Sequence, residues 1–422
     1  MMMTTDAALM LTRDDCADLY SMIGANEQQQ PENAIEIIRR ITQHQMDADS
    51  LVRLYDLCLR SEEGIRYRRS MEMHIFGMGN PLLDITATVD NAFLEKYGLP
   101  KNSAILAEAK HEPMYEEVIN KYEIEYSAGG ATQNTMRYCQ WVVGKNLQLT
   151  TFIGAVGNDY FGKIMEQKAK DDGVNVHYQK VDDALTGTCA VLLNNNGKYR
   201  SLCAYLGACK KFDKHFLLSN SVFVEKAKLY YISGHMLPVS HESCMHIAQH
   251  SMDWGKDFFF NLAAPYVTQK CQKELEKLMT YVDFFFANLD EALAFATMKG
   301  YTTKDPKEIA KLIAKEPKQK YNNPRIPSQY KAGRVVVITQ SENPVIMFKS
   351  DWSDVKEFPV PQLSEKELKD TNGAGDAFTG GFLAMYIWGK PLEQCINCAI
   401  YCATECVKQQ GCTLPKTMSY KF

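Results

Sequence analysis

No run of apolar residues in this 422-residue chain approaches the ~20 needed to cross a bilayer, so a membrane-spanning helix is excluded by length alone. Charge of one sign is equally lacking. Lys and Arg number 47 against 51 Asp and Glu, a net −4, which gives no footing for nucleic acid or an anionic lipid surface as main partner. The thirteen cysteines do not cluster into a disulfide framework and read as reduced thiols of the cytosol. The first twenty residues carry Asp6, Asp14, Asp15 and Asp18, which speaks against a secretory or organelle-import signal. A cytoplasmic, soluble enzyme without nucleic-acid or membrane partners is the class these absences leave. With 45% hydrophobic residues it has enough apolar surface for a large core.

Residues 1–70 read differently from the rest. After the polar break QQQPEN, Ile35, Ile38 and Ile41 recur at helical spacing, as do Leu51, Leu54, Tyr55 and Cys58. This predicts a helical or partly disordered extension, without chemistry of its own, that docks on the body or binds a partner. From Met71 to Phe422 a different rhythm holds. Short apolar runs, MHIFGMG (73–79), LTTFIGAVG (149–157), KLYYISG (228–234), DFFFNLA (257–263), VDFFFAN (282–288) and RVVVITQ (334–340), each end in a turn-forming residue, and most precede a helical pattern. Near-continuous apolar strands alternating with helices predict an α/β three-layer sandwich around a mostly parallel sheet, with ligands at the carboxyl ends of the strands. Segments 84–109 and 186–206 alternate like hairpin strands and carry the turn NNNG, which predicts a small β lid. Segment 315–333, rich in Pro and Lys, reads as a surface loop.

The stretch DTNGAGDAFTGGF (370–382) is hard to explain as packing. Gly373, Ala374 and Gly375 stand before a helix whose first amides lack intrahelical partners and carry partial positive charge, a place suited to phosphate or a developing oxyanion. Asp376 follows them on the first turn. A carboxylate beside an anion is unfavourable for mere binding, but it suits a general base that takes a proton from an attacking hydroxyl. A helix cap after a glycine turn would look the same in sequence.

Three other patterns carry less. Gly157 to Lys163 has P-loop spacing, but Ile164 replaces the Ser or Thr that holds Mg²⁺, so it reads as the opening of a surface helix. His241 and His246 are one residue too far apart for a zinc-protease helix. Cys395, Cys398, Cys402 and Cys406 form a stripe on one helix face and read as small core residues.

Read together and in order, FGMGNPLLDI (76–85), AGGATQN (128–134), GAVGNDYFG (154–162), TGTCA (186–190), NLDEA (288–292) and DTNGAGDAFTGGF resemble the adenosine kinases of the ribokinase-like (PfkB) family. The resemblance implies an ATP-dependent nucleoside kinase that makes AMP from adenosine, with Mg²⁺ as cofactor. It implies Asp376 as catalytic base and Gly373, Ala374 and Gly375 as anion hole. Asn80, Asp84, Gly129, Gly130 and Asn134 are then the nucleoside-binding positions. Asn288, Glu291 and Asn372 serve ATP and a Mg²⁺ held through water rather than directly, and Arg200 is a lid arginine that meets the transferred phosphoryl group. A monomer is the expected state. Two positions bordering the base pocket depart from the family: Ala104 where a glutamine is usual, and His235-Met236 where an aromatic pair is usual. The resemblance therefore specifies chemistry at the 5′ end more tightly than purine selectivity. Two alternatives stay open, a kinase for another nucleoside or sugar, and a catalytically weak nucleoside-binding protein whose N-terminal helices recruit partners.

Overall fold

The computed structural model describes residues 74–101, 103–144, 147–194, 199–319 and 333–421. The helices expected in 1–70, and most of the 315–333 loop, lie outside the described residues.

Among the described residues, fourteen strands form two sheets. The larger contains β1 (His74–Met78), β5 (Thr150–Gly157), β6 (Asn175–Val181), β9 (Ala227–Ser233), β10 (Asp257–Asn261), β11 (Phe284–Asn288), β12 (Val335–Gln340), β13 (Asn343–Lys349) and β14 (Lys356–Phe358). Its order is β14-β13-β12-β11-β10-β9-β1-β5-β6, and the seven strands from β12 to β6 are parallel. All six apolar runs of the sequence are strands here. The antiparallel edge β13-β14 and the strand β6 were not anticipated.

Successive strand residues feed opposite faces. Ile75, Tyr231, Phe259 and Val337 pack under one helical layer, Phe76, Tyr230, Phe258 and Val336 under the other. The first layer includes α1 (Ala131–Val143), α3 (Ala374–Ile387) and α4 (Leu392–Val407), and the second includes α2 (Leu289–Met298). Aromatic rings pin α3 to the sheet. Phe382 lies 5.2 Å from Phe286, Tyr386 lies 4.9 Å from Phe284, and the Tyr386 hydroxyl donates to Asp257 at 2.9 Å. Edge-to-face pairs of this kind add about 0.5–1.5 kcal/mol each beyond area burial, so the C-terminal half of α3 is held firmly against the sheet. The cysteine stripe of α4 is buried, as its helical spacing implied.

The second sheet, ordered β3-β8-β7-β2-β4, comprises β2 (Leu82–Thr88), β3 (Ala104–Leu106), β4 (Ile124–Gly129), β7 (Thr188–Asn194) and β8 (Tyr199–Tyr205). The segments 84–109 and 186–206 supply four of its strands. The fifth, β4, and the helix Glu112–Lys121 that packs behind it were missed, because IEYSAG is short and ends in small residues. This sheet has its own apolar layer around Ile85, Phe93, Val118 and Leu192.

Candidate active site

The chain passes from the large sheet to the small one through Gly79-Asn80-Pro81, at the carboxyl end of β1. Asn80 is buried there. Its Nδ2 donates to the His235 carbonyl at 3.0 Å, while its Oδ1 is buried without a protein partner. A buried amide oxygen left bare is costly and calls for a donor. Asp84 sits inside β2 opposite Ser127 of β4, 5% exposed.

The twin glycines are explained by the Asp84 side chain and the Asn80 main chain. A Cβ on Gly129, the last residue of β4, would stand 2.3 Å from Asp84 Cγ and Oδ1. Gly130 has φ of 91°, where a side chain is strained, and a Cβ there would lie 2.1 Å from the Asn80 carbonyl oxygen. The turn is thus pressed flat against Asn80 and Asp84 before it opens α1, which carries Asn134 in its first turn.

Asn134 links this turn to the glycine-rich stretch. Its Nδ2 donates to Asp376 Oδ2 at 3.1 Å. Gly373, with a left-handed φ of 73°, caps α3, so Asp376 falls on the first turn as the sequence predicts. Gly375 is exposed, and a Cβ added there would meet nothing within 4 Å, which leaves open space over the first amides of the helix. Burial pushes the Asp376 carboxyl up to about 7. Asp84 and Glu291 add to the rise, while the Asn134 hydrogen bond and the Arg137 charge oppose it. Desolvation that disfavours the charged form, together with neighbouring carboxylates, is how a proton acceptor is tuned to neutral pH.

Glu291 lies in the first turn of α2, locked with Asn288 in a capping box. The Asn288 amide and Nδ2 donate to the carboxylate at 3.0 and 2.8 Å, and the Glu291 amide donates to Asn288 Oδ1 at 2.8 Å. Burial is the first cause that raises the Glu291 carboxyl to about 7. The structure therefore brings Asn80, Asp84, Gly129, Gly130, Asn134, Glu291 and Asp376 to one crevice at the carboxyl ends of the parallel strands. Asn372 lies at its edge, half-buried, its amide on Asp370 Oδ1 at 2.8 Å and its carbonyl accepting from Cys406 Sγ. Arg200 is on β8 opposite Leu193, and its side chain lies outside the described residues, as does that of Ala104 on β3. Burial holds the His235 imidazole down to about 4, hence neutral, with Nδ1 2.8 Å from the Tyr266 hydroxyl.

The P-loop look-alike has a structural explanation. Asp159 caps the helix Tyr160–Asp171 through the Gly162 amide and holds the Thr186 amide and hydroxyl at 2.7 and 2.6 Å. No group of three or more His, Cys, Asp or Glu that could hold a metal occurs among the described residues, His241 and His246 included.

Two contributors were missed by sequence reasoning. Asp370 accepts from the Asn372 and Gly411 amides at 2.8 and 3.0 Å, tying the glycine loop to the C-terminal segment. Arg137 lies buried beneath Asn134. The available signal was the density of polar residues in ATQNTMRYCQW, too many for a helix that is buried along almost its whole length.

The model of the pfkB family of carbohydrate kinases matches residues 91–418. Adenosine kinase 2 of Arabidopsis thaliana is 42% identical over 347 residues, which span 81% of this chain and 96% of that protein. Adenosine kinase of Schizosaccharomyces pombe is 36% identical over 343 residues, 81% of this chain and 96% of that one. Among solved structures, Anopheles gambiae adenosine kinase in complex with P1,P4-di(adenosine-5) tetraphosphate has a TM-score of 0.74 at 41% identity, covering 81% of this chain and 97% of that chain. Adenosine kinase from Schistosoma mansoni in complex with 2-fluoroadenosine has 0.73 at 34% identity, covering 82% and 98%. The chain belongs to the pfkB carbohydrate kinase family, among its adenosine kinases.

Proposed function

We propose that this chain transfers the γ-phosphoryl group of ATP to the 5′-hydroxyl of adenosine, giving AMP and ADP. The observation that carries the reading is the place of Asp376, between the open first amides of α3 and the Asn134 side chain that follows the Gly129-Gly130 turn.

In this mechanism Asn80 Oδ1 and the Asp84 carboxylate accept hydrogen bonds from the ribose hydroxyls, and the glycine turn brings the sugar close to the backbone. A carboxylate that accepts two hydroxyl donors selects a cis-diol, each such bond contributing about 1.5–3 kcal/mol. The 5′-oxygen then faces Asp376. With its carboxyl near neutral pKa, Asp376 takes the hydroxyl proton as the oxygen attacks phosphorus, a role worth roughly 10²- to 10⁴-fold in rate. The amides at Gly373, Ala374 and Gly375 receive the negative charge of the group in transit. Arg200, carried on β8 of the small sheet, meets the same group when that sheet closes over the crevice as a lid.

Mg²⁺ fits the site through water. The Glu291 carboxylate is already engaged by Asn288 and the Ala263 amide, yet it keeps a lone pair to accept from a metal-bound water, and a nearby cation would keep this buried acid ionised. When bound, the ion supplies charge neutralisation at the phosphates. Asn288, Glu291 and Asn372 are the residues assigned to that side of the crevice.

Every group named comes from one chain, so a monomer suffices. The described cysteines are buried and no disulfide joins two of them, which supports a cytoplasmic setting, and no helix among the described residues is long and apolar enough to cross a membrane. The test is a coupled assay for AMP with adenosine, inosine, guanosine and ribose at matched MgATP. Adenosine is the expected substrate. Preference for ribose, or adenosine binding without turnover, would overturn the reading.

A further inference from the structure

Arg137 has no part in the mechanism above, yet it touches both halves of the site. Its guanidinium is 4% exposed. Nη1 donates to Asn134 Oδ1 at 3.0 Å, to the Cys412 carbonyl at 3.0 Å, and to the Ala128 carbonyl; Nε donates to Asp172 Oδ2 at 2.6 Å. Ala128 immediately precedes the Gly129-Gly130 turn. Cys412 is the floor of the anion hole, since a Cβ on Gly373 would stand 2.3 Å from its Sγ.

Resting on the reading of Asp376 as base, we propose that Arg137 is a positioning residue that fixes the Asn134 amide with its NH₂ toward Asp376 and locks the nucleoside turn to the anion-hole floor. An amide side chain has two faces of similar shape and opposite hydrogen-bonding character. With a guanidinium on Oδ1, only the donor face is left for the carboxylate. Remove the guanidinium and the amide is free to turn its oxygen toward Asp376, which repels the ionised base. The same loss takes a positive charge from the neighbourhood of a carboxyl that Asp84 and Glu291 already push upward, with Tyr231 and the Cys412 thiol as the other titratable groups near it. Arg137 therefore keeps the base ionised and aimed, without contact to either substrate. Its ion pair with Asp172, at the C-terminal end of the helix Tyr160–Asp171, orients the guanidinium.

The test uses the full chain with R137Q and R137K. The glutamine, shorter and neutral, gives up both the fixed donor on Asn134 Oδ1 and the charge, whereas R137K keeps a charged donor for that oxygen; neither reproduces the fork that also holds Ala128, Cys412 and Asp172. For R137Q, kcat should fall about 10- to 100-fold, as expected for a misaimed catalytic group. The acid limb of its pH–kcat/KM profile should move up by half a unit or more. R137K should keep the limb within about 0.2 units of the unsubstituted protein and recover most of the lost kcat. A purely packing role predicts equal losses in both variants with unmoved limbs, and that result would overturn the proposal. A second reading does not need turnover. The pH above which D376N stabilises the protein, measured by melting in the Arg137 and R137Q backgrounds, reports the acidity of the carboxyl directly. The midpoint should be higher with R137Q, and equal midpoints would refute the clamp. Absence of AMP formation by the unsubstituted chain would instead refute the proposed function.

Discussion

Replacing Gly129 with alanine places a methyl carbon 2.3 Å from Asp84 Cγ and Oδ1 and 2.5 Å from Oδ2. No real contact is that short, so something must move. The β4 backbone is paired with β2 up to Gly129 itself and is pressed against the Asn80 backbone at Gly130, and Asp84 is buried at 5% exposure, so the carboxylate is the part that yields. Displacing it costs about 1–3 kcal/mol of overpacking. It also takes away the hydroxyl acceptor, where the loss of one charge-assisted hydrogen bond is worth about 1.5–3 kcal/mol. The second figure corresponds to roughly a 10- to 150-fold weaker affinity for adenosine. Calorimetric titration of G129A with adenosine should therefore show this loss, while KM for ATP changes less than threefold and the melting temperature drops only a few degrees. An unaltered adenosine affinity in a well-folded G129A would refute the placement of the sugar against Asp84. Loss of ATP affinity instead would mean that the turn serves the phosphate side.

Three further outcomes follow from the same geometry. Because burial raises Asp376 above its ordinary carboxyl range to about 7, the folded protein binds a proton there that the unfolded chain has released between pH ~4 and ~7. The contribution of Asp376 to stability therefore declines as pH rises through that window, and D376N should raise the melting temperature most at pH 8, less at pH 5, and do little at pH 4. H235F, which removes the neutral imidazole held on Tyr266, should change the adenosine-to-inosine ratio of kcat/KM about tenfold while leaving the ATP KM alone; an unchanged ratio would take His235 out of the base pocket. Deleting residues 1–70 should leave kcat and KM within about twofold, since every side chain assigned above lies after them; a large loss would make the extension part of the catalytic body.

Much of the fold is legible because parallel strands covered on both faces must be apolar at nearly every position, and β1, β5 and β9 to β12 are. β6 escaped notice for the opposite reason: NVHYQKV lies at the sheet edge and alternates between covered and half-covered residues, a pattern that fits several structures. β13 carries its own buried run, Val345 to Phe348, but only two residues separate it from β12, so it pairs back antiparallel where the strand-helix rhythm leads one to expect a helix. In the candidate site, the glycines and acids of DTNGAGD and GNPLLD stood out only when the motifs were read together and in order, since a helix cap after a glycine turn would look the same. Arg137 was not, since two of its partners are main-chain carbonyls, one of them 275 residues away, and a carbonyl leaves no trace in residue identity. Asp370 stood within a quoted motif, but its partner amide at Gly411 is equally silent in sequence.

Single-turnover measurement on D376N, paired with adenosine binding by the same protein, tests the central claim most directly. The account predicts phosphoryl transfer slowed by about 10²- to 10⁴-fold, with adenosine affinity within about threefold of the unsubstituted chain. Transfer at the original rate would contradict it, because some other group would then be taking the proton from the 5′-hydroxyl.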